Sequence, residues 1–117
     1  MQDYKKLMVW SKAHKLTLSV YKETNIFPKE EIYALTNQIR RASSSVAINI
    51  AEGCGRRTML DKAYFMQIAF ASAQETEYLL FLCTELEYLK SETYMVLENE
   101  VVEIKIMLTA LMKKIRE

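Results

Sequence analysis

The sequence predicts an all-α fold, a four-helix bundle, and three observations carry that expectation. Glycine and proline together fill only 3 of 117 positions, too few for the corners of a β sandwich or barrel. Half of the residues are apolar, and they recur at helical spacing along nearly the whole chain. Turn-forming residues cluster at Asn25–Pro28 and at Gly53–Gly55, and Ser91 offers a further helix start, which divides the chain into four stretches. A length of 117 residues suits one domain spanning residues 1–117.

The first helix is expected over Lys5–Thr24, with Val9, Trp10, Ala13, Leu16, Leu18, Val20 and Tyr21 on a broad apolar face. Asn25-Ile26-Phe27-Pro28 ends it. The second runs from Lys29 to Glu52: Pro28 suits the first turn, and Glu30 and Glu31 complement the positive end of the helix dipole. Its apolar face is Ile32, Leu35, Ile39, Ala42, Val46 and Ile50, and Gly53 follows as the expected C-cap. Thr58 with Asp61 reads as a capping box opening a third helix that runs from Met59 to Leu89. Ser91 is the expected N-cap of the fourth, which reaches Lys114 or beyond. There Tyr94, Leu97, Val101, Ile104, Leu108, Leu111 and Ile115 alternate steps of three and four, a heptad seam. Helices this long, joined by short loops, favour an up-down-up-down bundle; two separate hairpins pairing in a dimer are the alternative.

The third helix argues against a monomer. Phe65, Met66, Ile68, Ala69, Phe70 and Ala71, then Tyr78 through Cys83, surround the helix instead of forming one stripe. A bundle buries one face of each helix, so the surplus is expected to be covered by another subunit.

Composition excludes several classes of function. Cys54 and Cys83 lie 29 residues apart and the chain has a single histidine, which leaves too few ligands for a zinc site or a di-iron bundle and no disulfide framework. His14 reads as a rim or core histidine, and Ser43-Ser44-Ser45 lacks the glycine elbow of a serine nucleophile. Gly53-Cys54-Gly55-Arg56-Arg57-Thr58 lacks the ending of a P-loop. No cofactor, metal or small-molecule substrate is indicated. The amino-terminal residues carry no apolar signal core, and the greasiest stretch, Ala63–Leu82, is interrupted by Gln67, Gln74, Glu75 and Glu77, so neither export nor a membrane span is expected. A cytoplasmic protein with reduced thiols fits.

Two polar patterns remain. On the second helix Gln38, Arg41, Ser45, Asn49 and Glu52 share a stripe that continues to Arg56, with Ser72 and Glu75 as its complement on the third. This stripe is expected to form a polar network or subunit interface, with any ion pair of Arg41 or Glu52 made to another helix or subunit. The small residues Ala42 to Ala47 permit close approach of a neighbouring backbone. The second pattern is charge: net charge is +1, but residues 1–62 carry 11 basic and 6 acidic side chains and the remainder 5 and 9. Arg56 and Arg57, in a glycine-flanked turn before a helix amino terminus, suit a phosphate, and Arg40, Lys12, Lys15 and Lys62 are the candidates to extend that surface.

Taken together, several segments resemble a known family. They are Val9-Trp10-Ser11-Lys12-Ala13; Tyr21-Lys22-Glu23-Thr24 with Phe27-Pro28-Lys29-Glu30; Leu35 through Ala42; Ser45 through Gly53; and Ile68 through Glu77. The chain resembles, over almost its whole length, the small bacterial four-helix proteins encoded in intervening sequences of 23S ribosomal RNA genes. The resemblance implies a ring-like homopentamer, with a fold shared with the accessory variability protein of diversity-generating retroelements, whose basic barrel engages nucleic acid and reverse transcriptase. The net charge here departs from that basic barrel. Two readings follow: a non-enzymatic assembly protein whose basic rim engages RNA or a nucleic-acid-processing partner, or a protein–protein adaptor that repeats a docking surface without nucleic acid.

Overall fold

The computed structural model describes residues 2–116, and among these there are four α-helices and no strand. They are α1 (Met8–Thr24), α2 (Leu35–Cys54), α3 (Met59–Glu85) and α4 (Ser91–Arg116), with short 3-10 turns at Tyr4–Lys6 and Lys29–Glu31. Helix α2 packs on α1 and α3, and α4 packs on α3 and α1, so each helix touches two others and neither diagonal pair meets. The long axis of 44 Å is about the length of α3 at roughly 1.5 Å per residue.

The core runs the length of this arrangement. Leu16 and Val20 of α1, Ile39, Val46 and Ile50 of α2, Met66 and Leu80 of α3, and Val101, Ile104 and Leu108 of α4 are all buried. On α4 the heptad seam is the inward face, Tyr94 and the last two members being half-buried. In α3 several core positions are small, Ala63, Ala69 and Ala73 among them, and three of its aromatic side chains, Tyr64, Tyr78 and Phe81, are exposed. The surplus apolar face read from the sequence therefore exists and is uncovered in the single chain.

The ends of the helices depart from expectation in instructive ways. The chain begins with a turn capped by Asp3, whose carboxylate accepts from the Lys5 amide at 3.1 Å, and α1 starts only at Met8. Leu18 and Tyr21, expected on the broad apolar face of the first helix, are exposed. Glu30 and Glu31 lie in the 3-10 turn ahead of α2, which begins at Leu35; Ile32 and Tyr33 fall in the break and face solvent. Glu31 still serves the helix, accepting from the Leu35 amide at 3.4 Å and from the Tyr88 hydroxyl at 2.9 Å. Thr58 caps α3 as expected, accepting from the Asp61 amide at 3.1 Å. Ser91 is the first residue of α4 and Lys90 precedes it, the Lys90 carbonyl accepting from the Tyr94 amide.

Helix α3 stops at Glu85, short of Leu89, through a left-handed residue. Glu87 has φ 65°, the Tyr88 amide donates to the Cys83 carbonyl and the Glu87 amide to the Thr84 carbonyl, which together form a Schellman cap. Glycine is the residue that fits this backbone without a Cβ penalty. Glu87→Gly is expected to stabilise the fold by about 0.5–1 kcal/mol, the relief of the left-handed strain less the added freedom of the unfolded chain. Urea unfolding checks it: an unchanged or lower midpoint would contradict the reading.

Candidate functional site

The turn between α2 and α3 gathers three of the six predicted cations. Arg56 lies over the Phe65 ring, 4.4 Å from its centroid, and donates from Nη2 to Glu52 Oε2 at 3.5 Å. Lys62 Nζ donates to Gln2 Oε1, which ties the start of the chain to this corner, and the Gln2 amide donates to the Cys54 carbonyl at 3.1 Å. Arg57 is exposed and joins none of the ion pairs among the described residues. The corner is thus a flat cation held by an aromatic ring, a tethered ammonium and one open guanidinium, beside the first turn of α3, whose Asp61 amide is taken by Thr58.

The other three cations are not brought to it. Arg40 lies toward the opposite end of α2, on the order of 20 Å away along the helix. There it donates to Thr24 Oγ1 at 2.8 Å and Asn25 Oδ1 at 3.3 Å and covers the Tyr21 ring, so it fastens α2 to the end of α1. Lys12 pairs with Glu103 across α1 and α4, and Lys15 faces the same acidic side. Glu100 feels both: burial raises its carboxyl above the usual range, Lys15 and then Lys12 oppose that, and its Oε2 has no hydrogen-bond partner among the described residues. The expected extension of the basic surface is corrected accordingly: Arg40 is bonded to the end of α1, and Glu103 and Glu100 of α4 answer Lys12 and Lys15.

The polar stripe does converge. Gln38, Arg41 and Ser45 of α2 and Ser72 and Glu75 of α3 line one groove of about 750 Å³, with Tyr33, Asn37 and Ile48 at its margins. Ser72 Oγ donates to Ser45 Oγ at 2.9 Å, and Asn49 Nδ2 donates to the Ser45 hydroxyl at 3.0 Å and to its carbonyl at 2.8 Å. Arg41 and Glu75 carry opposite charges into this groove and form no ion pair with each other or elsewhere among the described residues. Glu52 corrects the expectation of a cross-helix partner: it pairs with Arg56, one turn on. Sequence reading missed Tyr33, because a side chain 92% exposed had been enclosed in an expected helix.

A second face lies across α3 and α4. Phe70, Val102, Ile106 and Thr109 form an apolar furrow of about 370 Å³ beside Lys105, whose ammonium donates to Glu77 Oε1 at 2.7 Å. Tyr78, Phe81 and Met95 extend the exposed apolar surface along both helices, and Ile106 is 65% exposed.

The chemistry-bearing side chains are dispersed. Both cysteines are free and buried; burial pushes the Cys83 thiol up to about 11, and raises that of Cys54 against the opposing charge of Lys62. Among the described residues no three His, Cys, Asp or Glu side chains are grouped as metal ligands, and no helix is long and apolar enough to cross a membrane.

Residues 5–110 match the model of the family described as 23S rRNA-intervening sequence protein. A solved structure from Bacteroides thetaiotaomicron VPI-5482, a protein of unknown function from the S23 ribosomal protein family, is similar over 90% of this chain and 95% of its own. It shares 26% identity with a TM-score of 0.82. No curated protein matches the chain.

Proposed function

Because the chain belongs to the 23S rRNA-intervening sequence protein family, we propose that it is a non-enzymatic, cytoplasmic assembly protein. In this reading up-down-up-down bundles close into a ring-like homo-oligomer, a pentamer by family resemblance, and its repeated Arg56–Arg57–Lys62 corner meets RNA. The observation that carries the reading is the apolar surface across α3 and α4, where Phe81, Tyr78, Val102 and Ile106 are exposed in a single chain. Contiguous surface of that kind marks an interface. The α2–α3 groove, with Arg41 and Glu75 facing one another's charge without pairing, is the polar surface that sets register between subunits. Free buried thiols suit a reducing compartment.

Assembly also supplies what one chain lacks for RNA. Three cations, one of them already paired, hold a strand weakly, whereas repeating the corner around a ring makes each further contact intramolecular. Light scattering is expected to give about five times the chain mass of 13.7 kDa, with RNA affinity that falls steeply between low and physiological salt. The Arg56→Ala/Arg57→Ala pair is expected to weaken binding across sequences and to flatten the slope of log affinity against log salt by about 1.4, from roughly 0.7 per phosphate contact on a single strand. Unchanged affinity would remove the corner from the reading.

A specific observation favours the adaptor as the second reading. Lys12 and Arg56 are spent on Glu103 and Glu52, and Arg40 is a structural fastener. An assembled ring without salt-sensitive RNA affinity would be that adaptor.

A further inference from the structure

We infer that the aromatic cleft between α1 and α2 is a base-stacking subsite, so that the RNA held by this protein is single-stranded, with a base in that cleft; this rests on the RNA reading above. Trp10 and His14 are one turn apart on α1, and their rings stack in parallel, with centroids 5.0 Å apart and planes 6° from each other. The 3-10 turn folds Tyr4 back against them, edge-on to Trp10 at 5.0 Å. His14 is exposed, and among the described residues it forms no aromatic pair besides that with Trp10. The stack therefore ends on a ring that one further flat ring can extend.

The cleft beside this stack is shaped for such a ring. Thr17, Ser44, Ala47, Ile48 and Ala51 complete it, and its volume of about 260 Å³ lies just below the ~300 Å³ at which pockets for larger organic ligands begin. Its two aliphatic hydroxyls are turned to backbone carbonyls. Thr17 Oγ1 donates to the Ala13 carbonyl at 3.0 Å and Ser44 Oγ to the Arg41 carbonyl at 3.2 Å. A ring face stacks on any base, which is the chemistry of sequence-tolerant single-strand binding. In a duplex the bases are stacked on one another and withheld from it.

The cleft is also physically joined to the basic corner. Gln2, two residues before Tyr4, is bonded to both Cys54 and Lys62, and Ala51 on the cleft floor is about one and a half helical turns before Arg56. A strand with a phosphate at Arg57 and Lys62 thus places an adjoining base within reach of Trp10 and His14. The α3–α4 face proposed to join subunits lies across the bundle from the cleft, whereas the α2–α3 groove shares Ser44 and Ile48 with it, so a subunit seated on that groove borders the cleft.

Trp10 is the sole tryptophan, so its fluorescence reports on this cleft directly. The full chain is titrated with oligoadenylate, with an abasic strand of the same length and with duplex RNA. Oligoadenylate is expected to quench Trp10 and to bind about tenfold tighter than the other two. His14→Ala, an exposed change, is expected to remove about tenfold of that affinity without changing the salt slope, which counts phosphates, and His14→Phe to restore it. Salt-sensitive binding with unchanged emission, or with His14→Ala equal to the parent, would overturn the cleft and leave the corner standing. Absence of RNA binding even at low salt would overturn the RNA reading itself. Emission that follows protein concentration and ignores RNA would give the cleft to a second copy of the chain and overturn the inference.

Discussion

Ile106→Glu is expected to reduce the particle from oligomer to monomer while leaving the bundle folded. Ile106 is 65% exposed in the single chain, so a glutamate there remains solvated in the monomer, and glutamate is a good helix former. In an assembly that covers the furrow of Phe70, Val102 and Ile106, the same carboxylate is buried against apolar surface. An unpaired buried charge costs several kcal/mol, and a ring repeats the cost at every junction. Lys105 does not relieve it, because its ammonium is already bonded to Glu77. Ile106→Ala is the control: it removes area without burying charge, so the oligomer is expected to weaken and survive. Light scattering with circular dichroism separates the outcomes. An Ile106→Glu protein that keeps its mass would show that subunits meet elsewhere, and one that loses helicity would show that Ile106 supports the bundle itself.

What the sequence made legible follows from the range of the interactions involved. The α4 seam is a period within one helix, and Thr58 with Asp61 is a contact over three residues, so both could be read directly. The convergence of Ser45 with Ser72 was readable in part, because residue type and spacing on two adjacent helices limit what can face what. Arg40 was misassigned for the opposite reason. Its partners Thr24 and Asn25 are brought to it by the fold, and nothing local distinguishes a guanidinium that fastens two helices from one offered to a phosphate. The same holds for Lys12 and Glu103, which are distant in sequence and adjacent in the bundle. Ile32 misled because its apolar character extended a helical pattern across a break that is fixed by Pro28, Glu31 and the Tyr88 hydroxyl. The exposed face of α3 was legible because it exceeds what any single bundle can bury.

Gly53 is where a local rule gave the wrong role, and it carries the second large effect. A glycine at a helix end reads as a left-handed cap, yet Gly53 is helical and buried, and neither glycine of the chain has a positive φ. Its small size serves packing: a Cβ there would stand 2.8 Å from Met66 Cε and 3.2 Å from both the Lys62 carbonyl oxygen and Phe65 Cβ. Met66 Cε is the end of a flexible side chain and can move, but the Lys62 carbonyl belongs to the α3 backbone. Gly53→Ala therefore sets a tight contact against a gain in helix propensity of about 1 kcal/mol, and is expected to be close to neutral. Gly53→Leu has no such balance. Its branch must part α2 from α3 where the two helices approach, at about 3 kcal/mol for overpacking of this kind. The same displacement withdraws Phe65 from beneath Arg56, so RNA affinity is expected to fall along with the urea midpoint even where the protein remains folded. A Gly53→Leu protein with the parent's midpoint would mean that the helices do not approach closely here, and the corner of Arg56, Arg57 and Lys62 would lose the rigid seat on which its geometry depends.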